Sequence, residues 1–497
     1  MEQISVDTPQ ASDLVKEAER IVEDAETLSL SPLELGDKML ADFTEFDKAR
    51  RKKEDWALDE DAYGKRTSTF TDSYQSPHPI ILVLHASVGS GHRSAAVGIA
   101  QALIDLRDSQ QAAYPDGSPM DPQTQIAVID ILAWGEHQFD GSKTASMFTG
   151  FTRPFYDVTW RYTLTGRNVW GGGSVINYAM WRKFTRFIGH IKPHAVIATH
   201  IMGANTAAGA RAICNLDFPL ICVPTDYETE GLWPHRDTDC FCVGTEDMAE
   251  TLRARKISDQ RIAVTGIPTR SGFAQEYDAR EVRERMGLPA EDTLVLTLAG
   301  AQLAQPYVNF REILENALGS LGGIEGVHMV IVCGKDTEYE AHMREVCRAY
   351  HLEQQVTVLG YTDDLPALMV ASDIIVCKAG GLTVTECLVT GTPMLLVGRA
   401  YGQEKVNMRM LTNNGVAMHA TTARELAVAL GTISKHPERM KAMVINAGLL
   451  RRPNAAEDIA RKTLELAALP EGEGLAQRKN HSWFITIYRG HGPAHTR

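Results

Sequence analysis

The chain has no apolar run approaching the roughly 18 residues that a membrane-spanning helix needs, so none of its 497 residues is expected to cross a bilayer in that form. Met1 to Glu26 is polar and acidic rather than basic and then apolar, and no secretory leader is expected there. Cysteine is sparse, with eight residues at positions 214, 222, 240, 242, 333, 347, 377 and 387. Cys240 and Cys242 form a C-x-C pair, but no second pair supplies a zinc spacing. Reduced, buried thiols in a cytoplasmic protein are the expectation, with no metal site. Positive charge is also in deficit: 50 Lys and Arg stand against 63 Asp and Glu, a net charge of −13. That excludes the basic footprint of a nucleic-acid binder. The deficit is not uniform. Residues 1–78 hold 19 acidic and 10 basic side chains, so −9 of the −13 lies there and the body carries only −4.

What remains is ordinary globular composition, 44% hydrophobic and 23% charged, in a chain long enough for two or three domains. Short apolar runs alternate with helical patterns in both halves, as in Pro79 to Ala86, Gln125 to Leu132, His194 to Thr199, Leu220 to Val223, Asp292 to Ala299 and Val327 to Cys333. This alternation predicts an α/β protein.

One stretch organises the rest: SDIIVCKAGGLTVTECLVTGTPMLLVGRAYGQEKVN, residues 372–407. Asp373 to Cys377 suits a buried parallel strand. Lys378 to Gly381 turns the chain, and a helix starts near Leu382, leaving backbone N–H groups at Gly380, Gly381, Leu382 and Thr383, with the Lys378 cation beside them, to cradle an anion such as a diphosphate. One turn further, Glu386 is within reach of hydroxyls on the molecule that carries the phosphate. After the returning strand, Gln403, Glu404 and Asn407 offer hydrogen bonds to a sugar. Phosphate cradle, carboxylate and polar loop together point to a nucleotide-sugar site.

The same stretch resembles the donor-binding half of the glycosyltransferases that include monogalactosyldiacylglycerol synthase and the processive diacylglycerol glucosyltransferases, members of glycosyltransferase family 28. These carry a K-x-G-G-x-T-x-x-E-x-x-x-x-G-x-P element followed by a G-Q-E-x-x-N-like loop, and both parts are present here. The resemblance implies a GT-B architecture, two facing Rossmann-like domains with a central cleft. It places an acidic extension at 1–78, an acceptor and membrane-facing domain at 79–265, a UDP-sugar domain at 266–450, and a terminal helix and tail at 451–497.

Other stretches take roles beside that resemblance. Ser87 to Ala96 resembles the family's G-x-G-H-x-x-(S/A)-A loop and puts His92 at a helix start. An imidazole there suits removal of a proton from an acceptor hydroxyl, and the positive end of the helix would favour its neutral form. His200 either positions acceptor or phosphate or is a strand-end histidine bonded to backbone. Thr225, Asp226, Tyr227 and Trp233 match a T-D-(F/Y) element. Asp226 is expected to orient His92 or act as a second base, or else to pack or cap. The family has a histidine where this chain has Glu230. Gly300 and Ala301 resemble a diphosphate loop, and Tyr361 and Thr362 a turn that reads the base. Residues 143–187 hold eleven aromatics and seven basic residues against one acid. Trp160, Trp170, Trp181 and Arg182 within them suit contact with acceptor and an anionic membrane surface.

The resemblance therefore implies inverting transfer of glucose or galactose from a UDP-sugar to diacylglycerol, without a cofactor and in principle without a metal, by a cytoplasmic protein peripheral to the inner face of a membrane. Two other readings of the same residues are a UDP-sugar epimerase on this fold and a non-catalytic UDP-sugar-binding protein.

Overall fold

The structure, a computed structural model, describes residues 27–53, 78–135, 181–229, 233–300, 306–400 and 402–470. Two six-stranded sheets, parallel throughout, form its core. The first comprises β1 (Ile80–His85), β2 (Gln125–Asp130), β3 (Ala195–Ala198), β4 (Leu220–Cys222), β5 (Cys240–Val243) and β6 (Ile262–Val264), in the order β2-β1-β3-β4-β5-β6. The second comprises β7 (Thr293–Leu298), β8 (Val327–Val332), β9 (Val356–Leu359), β10 (Ile374–Cys377), β11 (Met394–Val397) and β12 (Ala417–Ala420), in the order β12-β11-β10-β7-β8-β9. Central strands such as β1 and β8 are buried at every position, as expected of sheets covered by helices on both faces.

Strand order fixes where a ligand can sit. In the second sheet the order reverses between β7 and β10, the arrangement of a dinucleotide-type Rossmann domain, and crevices open beyond the carboxyl ends of strands at such a switch. The loops following β7 and β10 are Gly300 and Lys378–Gly380. In the first sheet the switch falls between β1 and β3, which brings together the loops ending in His92 and His200. Residues far apart in the sequence are thus delivered to two crevice mouths by topology alone.

Eight helices matter for the site: α1 (Pro32–Lys53), α2 (Ser90–Ser109), α3 (Arg182–Ile191), α4 (Ile201–Cys214), α5 (Gly381–Thr390), α6 (Glu404–Asn413), α7 (Glu438–Leu450) and α8 (Ala455–Ala467). The acidic segment before residue 78 is more than an appendage, because α1 is part of the first domain. Leu35 and Phe43 are buried in its core, a contribution of about 1.5–3 kcal/mol each. A Cβ at Gly36 would fall 2.0 Å from the Val128 carbonyl oxygen, so only glycine lets the helix approach β2 this closely. Arg186 of α3 forks onto both carboxylate oxygens of Asp47 at 2.9 and 2.8 Å. The spacing of Leu14, Ala18, Ile21 and Val22 predicts a further helix over Asp13 to Leu28, which lies almost wholly outside the described residues.

The chain passes from the first domain to the second after β6, and α8 carries it back. Ile459, Ala460, Leu464 and Leu466 of α8 join Ile99 and Leu103 of α2 in one buried cluster. The two domains are therefore tied by the crossing at 265–270 and by this returning helix. No described helix is long and apolar enough to cross a membrane.

Candidate active site between the two domains

On the first domain, β1 runs into Gly89, whose φ of 91° is open to glycine and strained for other residues. Helix α2 starts at Ser90 and places His92 in its first turn. His92 Nδ1 lies 2.9 Å from the Thr199 carbonyl oxygen. A carbonyl only accepts, so Nδ1 carries the proton and Nε2 keeps its lone pair, the tautomer a general base requires. Thr225 Oγ1 stands 2.9 Å from the same nitrogen, and the Thr199 hydroxyl donates to the His92 carbonyl at 2.9 Å. The imidazole pKa is lowered, and the cause is burial, opposed by the Thr199 hydrogen bond. Burial keeps this ring neutral, in the same direction as the positive end of α2.

His200 meets His92 edge to face, with ring centroids 4.5 Å apart. Its Nδ1 accepts from the Met202 amide at 3.2 Å, which caps α4. Burial, reinforced by His92 and His85, holds its pKa well below the ordinary value, so the cap is retained at neutral pH. Of the two roles left open by the sequence, His200 takes the backbone-bonded one.

On the second domain, β10 leads through Lys378 and Ala379 to Gly380, which precedes α5. Lys378 Nζ pairs with Glu404 Oε1 at 2.9 Å, so the cation read as a diphosphate ligand and the carboxylate read as a sugar ligand are joined. Glu386 is 8% exposed. Burial pushes its carboxyl up to about 8, against the pull of Arg270. Arg270 was missed in the sequence because it lies in the interdomain crossing and outside any motif read there. Asn407 is fully buried and does not point at a sugar. Its amide donates to Asp226 Oδ1 at 2.8 Å and to the Ala379 carbonyl at 2.9 Å, and its oxygen accepts from Tyr227 N–H at 2.8 Å. Tyr227 also reaches Thr385 of α5, hydroxyl to hydroxyl at 2.9 Å.

The two half-sites face each other. A Cβ at Gly91 would lie 3.5 Å from Leu382 Cβ, and one at Gly381 only 2.0 Å from the Thr225 carbonyl oxygen. Thr225 and Asp226 are adjacent in the bend that follows β4 and face different domains. Thr225 touches His92, whereas Asp226 turns to α5, where its carboxylate accepts from Asn407 at 2.8 Å and its Oδ1 would lie 2.5 Å from a Cβ at Gly381, with the Gly381 amide and Gln403 nearby as further stabilising donors. Burial outweighs these donors and raises its pKa. Asp226 therefore occupies the helix start that the sequence assigns to phosphate, and it bridges the domains instead of orienting His92.

The remaining expected residues are more dispersed. Leu382 is buried and Thr383 partly exposed beside it. A Cβ at Gly300 would come within 2.7 Å of the Cys333 carbonyl carbon, so the loop after β7 runs tightly along the one after β8. Arg311 steadies both through the Ala299 carbonyl at 3.1 Å and Asp336 at 2.8 Å. Tyr361, 58% exposed, bonds Asp363 at 3.0 Å, and Thr362 accepts from the Asp364 amide at 3.1 Å. Trp181 corrects an expectation: it is 1% exposed, and its Nε1 donates to the Ile131 carbonyl at 2.8 Å. With Phe184 and Phe187 it packs on Trp134 in the core, because α3 turns its aromatic face inward. Arg182 is exposed on the outer side. Trp160, Trp170, Glu230 and Ala301 lie outside the described residues, as does the aromatic and basic stretch from 143 to 180. Among the described residues no group of three or more His, Cys, Asp or Glu is placed to hold a metal ion.

Two facing Rossmann-like domains, with a buried histidine on one and a helix start on the other, define a GT-B protein. A family model for monogalactosyldiacylglycerol synthase matches residues 123–269, and the glycosyltransferase family 28 C-terminal domain matches residues 295–459. Each falls on one of the two domains described above. The chain thus carries a monogalactosyldiacylglycerol synthase domain followed by a glycosyltransferase family 28 C-terminal domain. A processive diacylglycerol beta-glucosyltransferase of Bacillus licheniformis is 28% identical over 247 residues, 50% of this chain and 62% of that protein. Its counterpart from Bacillus pumilus is 23% identical over 407 residues, 78% and 95% of the two chains. The crystal structure of Acinetobacter baumannii MurG aligns with a TM-score of 0.49 at 18% identity, covering 77% of this chain and 98% of that one.

Proposed function

We propose that this protein transfers a hexose from a UDP-sugar to the free hydroxyl of diacylglycerol, with inversion at the anomeric carbon. The observation that carries this reading is the tautomer of His92, whose loop faces the start of α5 across the cleft. In this mechanism His92 Nε2 removes the acceptor proton as the hydroxyl oxygen attacks the anomeric carbon. The bond from that carbon to the diphosphate breaks, and UDP leaves with the bonding electrons. Amides at Gly380 to Thr383 receive the developing charge, after Asp226 has moved off them. Lys378 adds positive charge nearby. Glu386 takes the ribose hydroxyls, a role for which a carboxyl with a pKa of about 8 is suited as donor or acceptor. Gln403 and Glu404 are at the start of α6, where they hold sugar hydroxyls once their present partners are exchanged. Gly300, Ala301, Tyr361 and Thr362 complete the donor side toward diphosphate and base.

The names of the relatives support diacylglycerol as acceptor and leave glucose and galactose both open. An acceptor of that kind places the protein at a membrane surface as a peripheral protein, with the stretch around Trp160, Trp170 and Arg182 as one contact. Incubating the purified protein with diacylglycerol vesicles and each UDP-hexose, followed by mass analysis of the lipid, tests the proposal. A hexose added to the lipid with one donor supports it. Hydrolysis or epimerisation of the donor with the lipid unchanged would refute it.

A further inference from the structure

Helix α7 carries a second apolar surface that the cleft does not use. Its inner face, Met440, Met443 and Ala447, is buried against the second domain, and Asn446 Nδ2 donates to the Gly415 carbonyl at 3.2 Å. The outer face is unusual for a surface helix. Val444, Ile445 and Leu449 are 45%, 68% and 77% exposed. Single exposed apolar residues need no explanation, but Ile445 and Leu449 are one turn apart with Val444 beside them. Exposed Gly448 lies between Val444 and Leu449, and exposed Ala442 borders the same face, so the three larger side chains project.

The rim of this ridge is basic. Arg439, Lys441, Arg451 and Arg452 are all exposed, with Glu438 the one acid on α7. Arg439, Lys441 and Arg451 make no ion pair among the described residues, though Arg439 feels Glu438 and Arg452 is drawn toward Asp458 of α8. Lys441 precedes Ile445 by one turn, and Arg451 follows Leu449 directly, so cations stand at both ends of the apolar stripe. A chain of net charge −13 thus presents a locally positive, greasy helix face. Apolar side chains projecting between unpaired cations are the complement of an anionic bilayer, where the rings of headgroup charge lie above accessible hydrocarbon. The helix is also well placed. Arg452 packs against the crossing between the domains, where a Cβ at Gly266 would lie 2.5 Å from its own Cβ.

We propose that the outer face of α7 is a membrane-contact surface, with Val444, Ile445 and Leu449 entering the headgroup region of an anionic bilayer and Arg439, Lys441 and Arg451 meeting lipid phosphate. Its use in catalysis rests on the proposed lipid acceptor, but binding itself does not. This surface is separate from the stretch around Trp160 and Trp170.

The test is sedimentation of the full chain with sucrose-loaded vesicles that contain no diacylglycerol, made either of phosphatidylcholine alone or of equimolar phosphatidylcholine and phosphatidylglycerol. Wild type should partition onto the anionic vesicles and much less onto the neutral ones. The double variant Ile445→Glu/Leu449→Glu should lose at least about tenfold in partition, and Lys441→Ala/Arg451→Ala about fivefold per cation, increasingly masked by salt. Unchanged partition in both variants would overturn the proposal. So would a wild-type dimer that Ile445→Glu/Leu449→Glu converts to monomer with no effect on vesicle binding, since the face would then serve a second copy of the chain. Transfer to detergent-dispersed diacylglycerol should be the same in wild type and variants. Absence of that transfer in wild type would remove the proposed function while leaving the vesicle result to stand by itself.

Discussion

Asp226→Asn should tighten UDP binding. The Asp226 carboxylate accepts from Asn407 at 2.8 Å and lies against Gly381, where a Cβ would fall 2.5 Å from its Oδ1, and so stands at the anion position at the start of α5. A diphosphate needs the same amides, and the two anions exclude each other. Attraction of a carboxylate to a helix start is worth about 0.3–1 kcal/mol, rising to about 2 kcal/mol when partly buried. Hydrogen bonds to a charged group contribute about 1.5–3 kcal/mol each. Asparagine keeps one accepting oxygen and loses the charge, so the contact weakens on the order of 2 kcal/mol, or about 30-fold in the ratio of made to broken. Titration calorimetry with UDP at pH 8 reads this directly, with a dissociation constant falling by up to about 30-fold. The same variant should show a more open molecule in small-angle scattering without ligand, because Asp226 is one of the bridges between the domains. Equal or weaker UDP binding by Asp226→Asn would refute competition at the helix start.

Other consequences concern stability. Because the folded-state pKa of Glu386 is raised from 4.5 to about 8, the folded chain holds a proton that the unfolded chain releases between those values. Stability therefore falls as pH rises through that window. Glu386→Gln should remove the fall, by at most about 5 kcal/mol above pH 8, measured by urea unfolding at pH 5 and pH 8.5; parallel pH profiles for variant and wild type would contradict it. Trp181→Phe should cost about 1–3 kcal/mol by removing the buried hydrogen bond to the Ile131 carbonyl and part of a buried ring, with no change in vesicle binding. A loss of vesicle binding at unchanged stability would instead return Trp181 to the surface.

The architecture was readable because parallel sheets buried on both faces leave short apolar runs between helical patterns, and because glycine turns such as Lys378 to Gly381 mark strand-to-helix joints. The pairing of His92 with α5 followed from family resemblance, and the switch points in strand order give the physical reason they meet. The bridge from Asp226 to Asn407 joins residues 181 apart, and a single sequence carries no sign of such a pair. Asn407 looked like a sugar ligand because a polar side chain in a loop motif reads the same whether it faces a substrate or another domain. Trp181 looked interfacial for a similar reason. Aromatic and basic residues in one stretch do not say which face of α3 turns inward, and here Phe184, Phe187 and Trp181 share the buried one. The role of α1 was hidden by its charge. Leu35 and Phe43 are too few to stand out in an acidic segment, yet they anchor it to the first sheet.

The most direct test is single-turnover transfer by His92→Ala beside its UDP affinity. A neutral imidazole acting as base predicts that transfer falls by about 10²–10⁴-fold while UDP binds as in wild type. Near-normal turnover by this variant would contradict the account, because the hydroxyl would then be activated by some other group.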